Sequence, residues 1–290
     1  MVKAKMKSVE LKVDLIRREK LRRLHTATHI VNYCARQVLG NHVWQNGSNL
    51  KTDFGTLDIT HYDNLSFEEI FKIEKLVNET IFENKAVKIE ELGRAEAEKK
   101  YGFTLYQGGA IPMKTLRVIS VLDSDIEACG GIHMMSTGGI GFVKIVSSQK
   151  IQDGVVRLKY VVRDFAQDFI NEKQRILLDA CDVFSVDDSS LVKTCEKFFN
   201  DWKAQKKEID VLKNQLKASI IDSIFSSKKK EFKVDGISDI GFLMEIFTEV
   251  ISKFDSFKLV GDKFVIASQG VKVEGYKKEI KKGKFNIYVM

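Results

Sequence analysis

The chain has 290 residues, of which 44% are hydrophobic and 30% charged, a balance that fits a globular protein with a sizeable core. A net charge of +7 favours an anionic partner, with nucleic acid first among the candidates. The four cysteines show no paired disulfide spacing and no apolar run is long enough to span a bilayer, so we expect a cytoplasmic protein and exclude disulfide-stapled and membrane-spanning classes.

The first predicted element is a helix from about Asp14 to Leu39. Apolar residues recur along it at spacings of three and four, which indicates an amphipathic helix, and Gly40 fits a C-terminal cap. His25 and His29 lie one turn apart beside the apolar stripe, near the expected boundary between core and solvent. Because residues four apart share a helix face, these two imidazoles can bind one metal ion.

Short strands and helices are predicted next. Residues 56–62 alternate in polarity and predict a strand, and a capping box from Ser66 to Glu69 opens a helix. A second strand is predicted at 86–91 and a short helix at 93–100.

Three further strands are predicted at 116–122, 140–147 and 155–162. A hydrophobic helix beside antiparallel strands is typical of an α+β domain. We place this domain at residues 1–165.

A second candidate pair of metal ligands, Cys129 and His133, lies between the first two of these strands. Two glycines separate the pair and favour a tight turn over a helix. Together with His25 and His29, the pair forms a nitrogen and sulfur ligand set suited to zinc. The alternative is a buried cysteine and a surface histidine that bind no metal.

The remaining chain is predicted as a helical segment, 166–227, and a small α/β C-terminal domain, 228–290. An acidic, serine-rich break at 182–190 separates two helices in the first of these. Residues 191–227 carry a short heptad seam, which fits a hairpin with the preceding helix or a homodimer.

The C-terminal domain is predicted to contain a helix over 240–254 and strands that include 264–267 and 285–290. A basic cluster in it could contact phosphates, and a solvated lysine face is the equal alternative. The cluster consists of Lys277, Lys278, Lys281, Lys282 and Lys284.

Six motifs, in this order, resemble the editing domain of alanyl-tRNA synthetase in its archaeal form. They are Leu24-His-Thr-Ala-Thr-His-Ile-Val-Asn32, Val38-Leu-Gly-Asn-His-Val-Trp-Gln45, Leu57-Asp-Ile-Thr-His-Tyr62, Tyr106-Gln-Gly-Gly109, Glu127-Ala-Cys-Gly-Gly131 and Ile151-Gln-Asp-Gly154. The resemblance covers roughly residues 15–165. Over 166–290 it is weaker, and there the family has a helical dimerisation segment followed by a tRNA-binding domain.

The resemblance implies four zinc ligands and two residues that read the mischarged amino acid. The implied ligands are His25, His29, Cys129 and His133, and the implied readers are Thr28 and Gln45. The implied reaction is hydrolysis of the ester that joins serine, or glycine, to tRNA(Ala). A pocket for alanine cannot strongly reject serine, which adds only a hydroxyl, whereas a second site that hydrogen-bonds this hydroxyl can.

Two positions depart from the family pattern, because Ile132 stands where the family usually has threonine and Gly139 where it usually has glutamate. Both changes remove polar groups near the implied site and predict altered activity or selectivity. The alternative function is a non-catalytic subunit of a split alanyl-tRNA synthetase, which binds tRNA(Ala), dimerises and holds a structural zinc. Under either hypothesis we expect tRNA(Ala), and a separate alanyl-tRNA synthetase catalytic chain, as partners.

Overall fold

The structure, a computed structural model, describes residues 10–121, 125–254 and 256–290. The chain divides into two compact units between Ala180 and Cys181. Both units combine helices with mainly antiparallel sheets, and the predicted α+β class is therefore confirmed. The division into 1–165, 166–227 and 228–290 remains a prediction.

The first unit contains two antiparallel sheets and the helices that pack on them. Its helices are α1 (Leu15–Leu39), α2 (Phe67–Phe82), α3 (Arg94–Tyr101) and α4 (Asp164–Phe184), the last of which extends past the division. Its strands are β1 (Gln45–Leu50), β2 (Gly55–Thr60), β3 (Val87–Gly93), β4 (Thr115–Val121), β5 (Asp125–Ala128), β6 (Val143–Gln152) and β7 (Val155–Val162).

Helix α1 has the ends that its sequence predicts. The Asp14 side chain accepts a hydrogen bond from the backbone N–H of Arg17, and Gly40 follows the last turn with a φ of 114°, which favours glycine. Nearly every side chain from Leu24 to Ala35 is buried, because α1 packs against β-strands and against α2. The helix therefore forms the centre of the first unit.

The four-stranded sheet has the order β1-β2-β7-β6. Alternate residues of β2 and β7 point into the core beneath α1, as at the paired positions Leu57 and Leu158. The strand predicted at 155–162 is confirmed as β7, and the capping box from Ser66 to Glu69 opens α2 as predicted. Strand β1 was not predicted, because its sequence, QNGSNL, does not alternate between apolar and polar residues. The strand lies at the edge of the sheet.

The three-stranded sheet has the order β3-β4-β5 and precedes the turn that carries Cys129 and His133. The strands predicted at 86–91 and 116–122 correspond to β3 and β4, although residue 122 lies outside the described residues. Strand β5 was not predicted, because four residues of mixed polarity are too few to show a period.

The second unit contains α5 (Asp188–Ser227), α6 (Ile240–Val250) and a five-stranded sheet. Its strands are β8 (Glu231–Lys233), β9 (Lys258–Val260), β10 (Phe264–Ser268), β11 (Lys278–Lys282) and β12 (Phe285–Val289), in the order β11-β12-β10-β9-β8. The break predicted at 182–190 shrinks to three residues, because the Asp187 side chain caps α5 by accepting from the backbone N–H of Ser190. Most of the basic cluster lies on edge strand β11, where lysines also oppose pairing with another sheet.

Within the described residues, no helix combines the length and the apolarity that a bilayer crossing requires.

Candidate metal centre

The structure brings the four predicted ligand residues together. Helix α1 presents His25 and His29 to the turn after β5, and the ring of His133 lies 4.4 Å and 4.6 Å from theirs, centroid to centroid. The Sγ atom of Cys129 lies 3.4 Å from Nε2 of His25. One ligand atom from each of the four residues falls within 4.8 Å of the others, so a single ion could touch all of them.

His29 is more deeply placed than its sequence position indicated. We expected both helix histidines near the boundary of core and solvent, yet His29 is only 2% exposed, whereas His25 is half-buried. The expectation for His29 was wrong because strand β5 covers the face of α1 that a single amphipathic stripe would leave open.

The hydrogen bonds of His133 leave one ring nitrogen ready for a metal. The hydroxyl of Thr26 donates to the backbone carbonyl of Arg22, 3.0 Å away, and therefore has no proton left for the ring. Nδ1 of His133, 3.3 Å from that hydroxyl, must be the donor between them. Nε2 of His133 then carries a lone pair, and it is buried with no hydrogen-bond partner among the described residues.

His29 is oriented in the same way by a carboxylate. Its Nδ1 lies 3.2 Å from Oδ2 of Asp125, so that Nε2 is left for a metal. Three imidazoles and a thiolate form a donor set that suits zinc. These residues therefore fit a zinc ion by their chemistry and by the buried, unpartnered Nε2 of His133.

The electrostatics favour the metal-binding forms of Cys129 and His133. For His29 they act the other way: burial lowers its pKa, but the charge of Glu127 and the hydrogen bond to Asp125 raise it well above its ordinary value. Burial alone raises the pKa of the Cys129 thiol, but the neighbouring imidazoles stabilise the thiolate more strongly and lower that pKa to about 3. Burial lowers the pKa of His133 to about 4, so its ring is neutral at pH 7. Behind His29, burial and the charge of Asp125 raise the pKa of Glu127 to about 8.

The turn that carries Cys129 and His133 is held by hydrogen bonds from side chains rather than by the regular backbone hydrogen bonds of a sheet. Nη1 of Arg117 donates to the carbonyls of Cys129 and Gly131, at 2.8 Å and 2.7 Å, and Nε of Arg22 donates to the carbonyl of His133 at 3.0 Å. The hydroxyl of Thr26 accepts from the N–H of Met134. These residues were not predicted, because only the tertiary fold brings them to the turn.

Gly131 lies where the turn comes closest to the helix. A Cβ atom at this position would lie 1.7 Å from Cε1 of His25, so that no other residue fits without movement. Gly139, the second departure from the family pattern, accepts a hydrogen bond from Nε of Arg23 through its carbonyl. A side chain at residue 139 would first meet the flexible end of Met134.

The two predicted readers lie in different surroundings. The Thr28 side chain is 1% exposed, and its Oγ1 lies 2.8 Å from the carbonyl of Leu24 and 2.6 Å from the hydroxyl of Tyr160 on β7. Gln45 is half-buried at the start of β1, and its Nε2 lies beside Gly108 in the Tyr106–Gly109 stretch. The structure thus places Gln45 at a glycine turn and Thr28 against the four-stranded sheet.

Comparison with known proteins relates the chain to alanine--tRNA ligases. Residues 116–159, from β4 into β7, match the family model described as threonyl and alanyl tRNA synthetase second additional domain. The chain is 42% identical over 258 residues to an alanine--tRNA ligase of Methanobrevibacter smithii, an alignment that covers 89% of this chain and 28% of that protein. It is 39% identical over 269 residues to the alanine--tRNA ligase of Methanococcus vannielii, an alignment that covers 91% of this chain and 30% of that protein. It is 40% identical over 238 residues to the alanine--tRNA ligase of Thermococcus kodakarensis, which covers 82% of this chain and 26% of that protein. The chain spans less than a third of the length of these curated relatives.

Proposed function

We propose that this chain hydrolyses the ester of mischarged tRNA(Ala), with Ser-tRNA(Ala) as the main substrate and Gly-tRNA(Ala) as a second. The proposal starts from the relation of the chain, over most of its length, to archaeal alanine--tRNA ligases. The observation that carries the proposal is the convergence of three imidazoles and one thiol at the turn after β5. The turn itself lies inside the matched residues 116–159, and α1 brings two of the imidazoles to it. Serine differs from alanine by one hydroxyl, so a pocket for alanine rejects serine only weakly. A second site that hydrolyses the serine ester separates the two amino acids.

The side chains of His25, His29, Cys129 and His133 would hold the zinc ion. When bound, zinc supplies Lewis-acid catalysis of ester hydrolysis. Asp125 fixes the ring of His29 and Thr26 fixes the ring of His133, so both ligands keep one tautomer and one orientation. Burial of both rings excludes bulk water from the inner side of the site.

Gln45 has more free hydrogen-bonding capacity than Thr28, the other proposed reader. The hydroxyl of Thr28 already donates to the carbonyl of Leu24 and accepts from Tyr160, which leaves it little capacity for a ligand. The Gln45 amide has one long hydrogen bond, 3.5 Å to the hydroxyl of Ser48, and can both donate to and accept from a serine hydroxyl. We therefore propose that Gln45 reads the hydroxyl and that Thr28 positions α1 against the sheet.

The test is release of the amino acid from purified Ser-tRNA(Ala) and Ala-tRNA(Ala). We expect the zinc-loaded chain to release serine and spare alanine, and Cys129→Ala to abolish the release. Cys195→Ala is the matched control, because this cysteine is exposed on α5 in the second unit. Equal release of both amino acids, or an active Cys129→Ala variant, would refute the proposal.

A second candidate function is a non-catalytic subunit of a split alanyl-tRNA synthetase, with a structural zinc. It is favoured by large apolar side chains that α5 exposes, which suit a homodimer through 191–227. They are Phe198, Phe199, Trp202, Ile209, Leu212 and Leu216. Tight tRNA(Ala) binding without serine release, by a chain that sediments as a dimer and associates with a separate catalytic chain, would select this function.

A further inference from the structure

The two histidines outside the candidate metal centre contact each other. The chain has five histidines, and His25, His29 and His133 belong to that centre. His42 precedes β1 and His61 follows β2, yet Nε2 of His42 lies 2.9 Å from Nδ1 of His61. These two histidines have no part in the proposed function, and their facing nitrogens form a second group of side chains that can bind a metal.

The backbone holds both imidazoles in place. The hydroxyl of Thr60 donates to the carbonyl of His42 at 2.6 Å and accepts from the N–H of Trp44 at 2.8 Å. The N–H of His61 donates to the carbonyl of Gly154, 2.9 Å away. The two rings therefore extend from fixed backbone, with their centroids 5.1 Å apart and 28° between their planes.

Solvent reaches the pair from the side of His42. This residue is exposed, whereas His61 is only 5% exposed. The ring of Tyr62, which is 72% exposed, stacks on that of His61 with 4.5 Å between centroids. An ion can therefore reach the two nitrogens from water, and water molecules can complete its coordination.

The charges around the pair suit neutral imidazoles beside a cation. Burial, and after it the neighbouring imidazole, lowers the pKa of His61, so that its ring is neutral at pH 7. The carboxylates of Glu69 and Asp63 oppose this shift, and their negative charge attracts a cation. Positive charge comes from Lys150 on β6, which is itself paired with Asp153 at 3.4 Å.

We propose that His42 and His61 bind a square-planar divalent ion of the copper or nickel class, at a site separate from the proposed hydrolysis. With bonds of about 2.0 Å, two cis ligands of such an ion lie about 2.8 Å apart, close to the 2.9 Å between the facing nitrogens. Tetrahedral zinc would place two nitrogens about 3.3 Å apart and takes four protein ligands in structural sites. The pair therefore suits copper or nickel better than zinc.

Binding requires a small rearrangement of the pair. The two nitrogens now share one proton, and their lone pairs face each other. The exposed ring of His42 has to turn so that both lone pairs meet one ion. The ring that now donates has to carry its proton on its other nitrogen, so the neutral pair releases no proton when it binds the ion.

The test uses the zinc-loaded, full-length chain and copper(II) iminodiacetate, a chelate that leaves coordination positions open for protein imidazoles. We expect one calorimetric binding site and an electron paramagnetic resonance spectrum with two imidazole nitrogens on copper. His42→Ala should weaken binding on the order of a hundredfold, because two ligands on one protein act at a high effective concentration. The zinc content should stay unchanged.

Tyr62→Phe is the matched control, because it keeps the stacked ring and both imidazoles, and its copper affinity should equal that of the unchanged chain. His61→Gln removes the other ligand, with circular dichroism to verify the fold because His61 is buried. If that variant unfolds, the nitrogen count in the unchanged chain and the exposed His42→Ala variant still decide. Equal copper affinity in His42→Ala, a spectrum with one imidazole nitrogen, or no binding would refute the site.

Discussion

The two halves of the candidate metal centre reach the same place by different physical means. The helix half takes its geometry from backbone hydrogen bonds and from the burial of α1 between Leu24 and Ala35. The turn half has no regular structure, and its carbonyls are held by the side chains of Arg22 and Arg117. On a helix, a spacing of four residues is enough to bring two ligand side chains together. In a turn, the same spacing does so only when side chains from other segments hold the backbone.

Two cysteines make this contrast measurable in one experiment. Cys34 lies on α1, where burial raises the pKa of its thiol to about 12, whereas Cys129 lies in the turn. Since only the thiolate is alkylated, we expect Cys34 at pH 8 to react with iodoacetamide on the order of a thousandfold more slowly than exposed Cys195, with or without zinc. Cys129 should react only after zinc is removed.

Mass spectrometry of peptides after timed alkylation checks both expectations. Fast labelling of Cys34 in the native protein would show that α1 is less protected than its burial indicates. Equal labelling of Cys129 before and after zinc removal would show that this thiol does not bind the metal.

Gly131→Ala should break the contact between the two halves. Its methyl group would lie 1.7 Å from Cε1 of His25, so the turn or the histidine must move, and zinc affinity should fall on the order of a hundredfold. Gly130→Ala is the control, because a Cβ there meets nothing within 4 Å. Competition with a chromophoric chelator measures both variants, and equal affinities would contradict the contact.

Arg117→Ala should loosen the turn half alone. Loss of its two hydrogen bonds frees the carbonyls of Cys129 and Gly131, and we expect zinc affinity to fall about tenfold. Arg157→Ala serves for comparison, since its bonds go to Asp58 on the exposed side of the sheet. The same chelator assay applies, with circular dichroism to verify the fold, and an unchanged affinity would show that the turn keeps its shape without Arg117.

Sequence patterns predicted the elements whose polarity repeats and failed where it does not. Strand β7 and helix α1 carry long apolar periods and were predicted nearly to the residue. Strands β1, β5 and β11 are short or polar, and only pairing with a neighbour makes them strands. Likewise, the four candidate ligands could be selected from spacing and family resemblance, but Thr26, Arg117 and Asp125 could not, because their partners lie in other segments of the chain.

His25 and Cys129 are 104 positions apart in the sequence, and this separation has a thermodynamic consequence. An ion that joins these two side chains closes a long loop, which restricts the unfolded ensemble much as a covalent cross-link would. Because the unfolded chain cannot present the preformed group, every increment of metal affinity is also an increment of folding stability. Chelation should therefore lower the melting temperature of the first unit, so that the supply of the ion would set the fraction of the chain that is folded.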